Sequence, residues 1–81
     1  MRVGVRLGGG LVRMVDTPRL AFELHDGATL ADLYDEVGRA YPELDGAVRA
    51  VLPVLRGTHI DKRHVLEHGD EVALLPRAAG G

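Results

Sequence analysis

The side chains that usually carry covalent chemistry are nearly all missing from this chain of 81 residues. It contains no cysteine and no serine, which removes disulfides, thiolate metal sites and the common Cys and Ser nucleophiles together. His59, His64 and His68 lie close in sequence, and His64 and His68 stand at the i, i+4 spacing of two metal ligands on a helix. Their segment lacks sustained helical periodicity and the His-Glu-x-x-His order of a zinc-protease helix, so they read as solvent-facing histidines. The aspartates and glutamates are scattered over turns and one polar helix face, with no pair poised for acid–base work. Gly8-Gly9-Gly10 invites a phosphate-loop reading, but no Lys-Ser/Thr follows and no helix is expected to start there; a hairpin loop is the simpler reading. What remains is the stretch from Gly69 to Gly81, a turn, a strand and a thin tail that carries the carboxylate of Gly81. The five residues after Pro76 reach at most about 17 Å at ~3.3–3.6 Å each. Such a tail adds almost nothing to a core, yet it can thread a channel too narrow for any Cβ.

The elements that must position this tail belong to one domain, expected over residues 1–76, with residues 77–81 as a flexible tail ending in Gly80-Gly81. So small a domain buries only about 60–65% of its unfolded surface, so its stability is marginal without disulfides or metal. A net charge of −2 with both signs intermixed argues against nucleic acid or an anionic membrane as partner. No apolar run approaches the ~20 residues of a membrane span, and no signal-peptide pattern opens the sequence, so the expected location is cytoplasmic.

Hydrophobic periodicity supplies the elements in order. Arg2 to Leu7 alternates, placing Val3, Val5 and Leu7 on one face of a first strand. Residues 11–18 are ambiguous, with part of them able to pair with that strand. Arg19 to Leu24 alternates again with Leu20, Phe22 and Leu24 inward, and Asp26-Gly27 turns the chain. Thr29 is a good N-cap for a helix whose stripe is Leu30, Leu33, Tyr34, Val37, Ala40 and Tyr41. Asp32 stands where a capping box carries Glu, and Pro42 stops the helix. Residues 43–49 form a connector with a possible helical turn. Val51 to Arg56 is apolar enough for a strand that Pro53 restricts to an edge or a bulge. Thr58-His59-Ile60 is a short returning strand, and residues 61–68 are polar around Val65 and Leu66. Glu71 to Leu75 alternates once more after the Gly69-Asp70 turn, and Pro76 ends its ladder. The order β-β-α-β-β-β predicts an α+β two-layer domain, one main helix across a mixed sheet of about five strands.

This pattern resembles the ubiquitin-like β-grasp sulfur carriers, the group that contains the small subunit of molybdopterin synthase and the thiamine-pathway carrier. The resemblance spans essentially the whole chain. It rests on Val3 to Leu7, on Asp26-Gly27-Ala28-Thr29-Leu30-Ala31-Asp32-Leu33, on Tyr41-Pro42-Glu43-Leu44, and above all on Asp70 to Pro76 followed by Gly80-Gly81. The length and the Tyr-Pro-Glu-Leu helix exit look more like the molybdopterin-synthase branch. The chain departs from that branch at Gly8-Gly9-Gly10 and at Leu55-Arg56-Gly57.

The resemblance implies a carrier acting with partner enzymes, not an enzyme by itself. A ubiquitin-activating-type adenylyltransferase would use ATP to adenylate the Gly81 carboxylate, and no cofactor would be bound by the chain itself. A sulfurtransferase would supply sulfur to form a thiocarboxylate. A sulfur-accepting synthase, such as the large subunit of molybdopterin synthase, would consume it. Gly80 lets the backbone pass close to a partner's walls, and Arg77 is placed to make a charge-assisted contact at the channel mouth. With Val72 and Leu74 inward, Ala73 and Leu75 face outward beside Pro76 and form the expected docking surface. Two other functions use the same fold. A ubiquitin-like modifier would form isopeptide bonds through Gly81, and a plain interaction module would need no free terminus.

Overall fold

The alternating stretches become the strands of a single sheet in a computed structural model, which describes residues 1–77. The five strands are β1 (Arg2–Leu7), β2 (Arg19–Glu23), β3 (Leu52–Leu55), β4 (Thr58–His59) and β5 (Glu71–Leu75). Their order is β2-β1-β5-β3-β4. β1 runs parallel to β5, whereas the β1–β2, β3–β5 and β3–β4 pairs are antiparallel, so the sheet is mixed as expected. The last strand in sequence therefore lies at the centre of the sheet, between β1 and β3.

The main helix, α2 (Leu30–Ala40), forms the second layer, with Leu30, Leu33, Tyr34 and Val37 buried. Val3, Val5, Leu7, Val72 and Leu74 meet it from the sheet, all nearly inaccessible to solvent. Burying a side chain such as Leu33 or Val37 contributes about 1.5–3 kcal/mol. The helix begins on a complete capping box: Thr29 Oγ1 accepts from the Asp32 N–H, and Asp32 Oδ2 accepts from the Thr29 N–H at 2.9 Å. The shorter Asp side chain thus closes the reciprocal bond that Glu usually makes. That backbone bond is the main reason the Asp32 carboxyl lies below its ordinary pKa, with His25 adding a smaller effect in the same direction. A group depressed in the folded state stabilises above its unfolded pKa and loses that contribution as pH falls through the folded one. Thr29→Ala should lower unfolding free energy by about 1 kcal/mol in denaturant titrations at neutral pH. The backbone bond is common to variant and parent, so the gap should narrow in strong acid only by the share of the Thr29 hydroxyl, which donates to Asp32 Oδ2 at 3.2 Å.

Two expectations need correction, at the glycine triplet and at Pro53, while the helical turn expected within residues 43–49 is present. A helix does start at the glycine triplet: α1 (Gly10–Val15) buries Leu11 against the core and closes on Asp16, whose φ is 61° and whose N–H donates to the Val12 carbonyl. Residues 11–18 thus contribute to β1 only at their end, where the Pro18 carbonyl accepts from the Leu7 N–H. The connector after Tyr41 is a short 3-10 turn (Pro42–Leu44) running into α3 (Asp45–Arg49), which buries Leu44 and Val48. Pro53, finally, lies on neither an edge nor a bulge, since β3 has a neighbour on each side. Its carbonyl accepts from the Ile60 N–H just past β4, so its missing N–H faces the point where that short ladder ends. Among the described residues, no helix is long and apolar enough to cross a membrane.

Candidate functional site

Alternation along β5 sends Val72 and Leu74 into the core and leaves Ala73 and Leu75 on the outer sheet face. The registers align His59, Val54, Ala73, Arg6 and Arg19 in one row across all five strands, and Leu75 stands opposite Leu52 in the next. Flanked this way, Ala73 keeps only 8% of its surface, while Leu52, Val54 and Leu75 stay half-buried. Val54, Ala73 and Leu75 floor a shallow depression of about 620 Å³ rimmed by Arg6, Arg56 and Glu71. An apolar floor with a charged rim is the anatomy of a protein-docking patch.

The start of β5 is fixed by a buried carboxylate. Asp70 is 7% exposed; one of its oxygens accepts from Arg56 Nη1 at 2.7 Å and the other from the Glu67 N–H at 2.8 Å. Both oxygens of the buried anion are therefore satisfied, one by a cation. Arg56 reaches it from the β3–β4 turn, with φ at 49°. Across the outer face, Arg19 and Glu71 form a looser pair at 4.0 Å.

The far end of β5 leaves the sheet past two glycines. The Gly8 N–H donates to the Leu74 carbonyl at 3.0 Å, continuing the parallel ladder by one residue beyond β1. A Cβ on Gly8 would stand 3.2 Å from that carbonyl oxygen, and one on Gly9 would stand 3.1 Å from Pro76 Cγ. Gly9 also has φ at 55°, a region costly for side-chain-bearing residues. Gly8 and Gly9 thus let Pro76 lie close against the β1–α1 corner. Arg77 Nε donates to the Ala50 carbonyl at 3.2 Å, at the end of α3. The Arg77 charge is close enough to Tyr34 to oppose, with Arg49, the upward shift that burial imposes on the phenol.

Ala73 and Leu75 therefore lie together on the outer face, Pro76 sits beyond them against Gly8 and Gly9, and the Arg77 side chain is turned toward the helical layer. Gly80 and Gly81 lie outside the described residues. The three histidines do not form a centre. His59 is exposed on β4, and residues 64–68 are irregular apart from a bridge between Val65 and Thr29, so the His-Val-Leu-Glu-His order from His64 to His68 has no helix to align it. His68 Nδ1 accepts from the Arg2 N–H. Among the described residues no three His, Asp or Glu side chains cluster as metal ligands. Sequence reasoning missed Gly8 and Gly9 as the support for Pro76, and Arg56 with Asp70 as the clamp on β5. The triplet itself was the available signal for the first. Nothing local marks the second, whose partners are fourteen residues apart.

The profile of the ThiS family matches residues 5–81. A molybdopterin synthase sulfur carrier subunit of Chlamydomonas reinhardtii is 36% identical over 62 residues, covering 74% of this chain and 75% of that protein. The crystal structure of SAMP1 from Haloferax volcanii superposes over the full length of both chains with a TM-score of 0.88 at 21% identity. A further structural neighbour is a chain from the complex of subunits 1 and 2 of the molybdopterin-converting factor of Helicobacter pylori, with a TM-score of 0.71, 23% identity and full coverage of both chains. At these identities the two structures speak for the fold, which is the β-grasp.

Proposed function

The chain belongs to the ThiS family, and on that premise we propose that it is a sulfur carrier of the molybdopterin-synthase small-subunit type. The observation that carries this reading is that the family match runs through the body and on to Gly80-Gly81. The body presents a docking surface, and the Gly81 carboxylate is the reactive group. A carboxylate is a poor acyl electrophile, so an adenylyltransferase of the ubiquitin-activating type must first attack ATP with it. Pyrophosphate leaves, and the mixed anhydride with AMP forms. Sulfur that a sulfurtransferase delivers at the sulfide level, with a thiol as reductant, then displaces AMP as the acyl–phosphate bond breaks, and leaves a thiocarboxylate, which donates sulfur inside a synthase large subunit. In the Helicobacter pylori structure the two subunits of the converting factor are held together as a complex, which supports a large-subunit partner here.

Within this scheme Ala73, Leu75 and Pro76 form the contact with the partner. Arg77 lies at the base of the tail, where releasing its bond to the Ala50 carbonyl would free the guanidinium for a partner acceptor. Gly80 lets the tail pass through a narrow channel. The test is incubation of the full chain with the adenylyltransferase of its own organism, ATP and inorganic sulfide, followed by intact mass spectrometry. The carrier reading expects the increment of one oxygen replaced by sulfur. A conjugate carrying a second protein would instead identify a modifier.

A further inference from the structure

We propose that the free edge of β2 is a self-association surface, on which a second copy of this chain docks antiparallel about a two-fold axis through Ala21. The proposal is independent of sulfur transfer and begins from backbone accounting. Met1 and Leu24 exchange both hydrogen bonds, and the Leu7 N–H donates to Pro18. Antiparallel alternation then turns Phe22 and Leu20 toward Val3 and Val5, and points the N–H and C=O groups of Arg19, Ala21 and Glu23 away from the sheet. The neighbouring strand is consistent with this: the Gly4 and Gly8 amides face β5. Of these outward groups only the Arg19 carbonyl has a partner among the described residues, the Thr17 hydroxyl at 3.2 Å. A carbonyl can accept a second bond. The opposite edge, β4, is two residues long and offers little, whereas β2 is five residues long.

Edge strands are ordinarily protected by charge. Here the charges are of opposite sign and symmetric about Ala21: Arg19-Leu20-Ala21-Phe22-Glu23. In an antiparallel pairing centred on Ala21, each Arg19 stands opposite the other copy's Glu23 on the outer face. Leu20 and half-buried Phe22 meet on the inner face. Both ion pairs and all outward ladder groups are satisfied at once, and the isologous contact closes instead of growing into a filament. The acidic side chains beside this edge on α2, Asp32, Asp35 and Glu36, would favour a basic strand of another protein instead. The charge symmetry of β2 favours the second copy. β1 separates β2 from β5, so the dimer leaves the outer-face depression and Pro76 uncovered.

Sedimentation of the full chain over a concentration series tests the inference, with Ala21→Pro, Arg19→Glu and the double exchange Arg19→Glu/Glu23→Arg beside it. Ala21 donates nothing to β1, so proline there removes only an edge donor. The expected result is a reversible dimer that Ala21→Pro abolishes with circular dichroism unchanged. Arg19→Glu should raise the dimer dissociation constant about tenfold by placing like charges opposite each other, and the double exchange should restore it. A parent chain that stays monomeric up to about 1 mM would overturn the inference. So would a dimer indifferent to Ala21→Pro, a double exchange that fails to restore association, or capture of a Lys-rich strand peptide without self-association.

Discussion

Removing Gly80 and Gly81 should leave the melting temperature of the chain unchanged and abolish formation of the acyl adenylate. The two halves of this result have separate physical grounds. The core is assembled from residues between Val3 and Leu74, and β5 ends at Leu75, so the sheet and the helical layer are complete without the last residues. Stability depends on apolar burial and ladder bonds that the deletion does not touch. In the proposed scheme, activation depends on placing one carboxylate within reach of the α-phosphate of ATP in a partner's site. Shortening the tail by two residues withdraws the acid by roughly 7 Å, at ~3.3–3.6 Å per residue. A displacement far smaller than that commonly costs an enzyme a hundredfold. The new end would also be Ala79, whose Cβ would meet the walls of a channel that the proposed scheme narrows to glycine. Calorimetry and ATP–pyrophosphate exchange read the two halves on the same sample. A lowered melting temperature, or persistent exchange, would contradict the assignment of the tail.

The second large effect is expected at Leu75. Leu75→Glu should leave the fold intact, because the side chain sits half-buried on the outer face, opposite Leu52 and outside the core. Docking should suffer badly. The substitution places a carboxylate in the apolar floor beside Ala73 and Val54, where a partner's surface would have to bury it. Truncating a central anchor in an interface typically costs at least about 2 kcal/mol, near 30-fold in affinity. A buried uncompensated charge adds to that loss. Titration calorimetry against the activating enzyme measures it. Ala40→Glu, on the exposed end of α2 in the other layer, is the control and should bind like the parent. Unchanged affinity for Leu75→Glu would remove the outer face from the docking surface.

How much of this was legible beforehand varied by element. α2 was readable because its stripe, its Thr29 cap and the Tyr41-Pro42 stop agree with one another, and Leu30, Leu33, Tyr34 and Val37 are buried as that stripe requires. β5 was readable because alternation, the preceding Gly69-Asp70 turn and Pro76 all mark the same five residues. α1 was not: three glycines oppose a helix locally, and six residues are too few to be stable on propensity alone. It forms because Leu11 has a core to enter. The setting of Pro53 depended on strand order, which no local signal carries. The packing of Gly8 and Gly9 against Pro76 likewise follows from pairing β1 with β5, segments about seventy residues apart in the chain. The alternation placed Ala73 correctly on the outer face, but its low exposure comes from Val54 and Arg6, its neighbours in the row. For Arg77, extrapolating the strand period past Pro76 would have aimed it with Leu75, whereas its guanidinium reaches the Ala50 carbonyl at the end of α3.

The most direct measurement is the mass of the C-terminal peptide after the full chain has reacted with its adenylyltransferase, ATP and inorganic sulfide. The account predicts one sulfur in place of one oxygen, located at Gly81 by fragmentation and lost on incubation with the sulfur-accepting synthase. An unchanged terminal peptide in the presence of active enzyme, or sulfur found anywhere but Gly81, would contradict it.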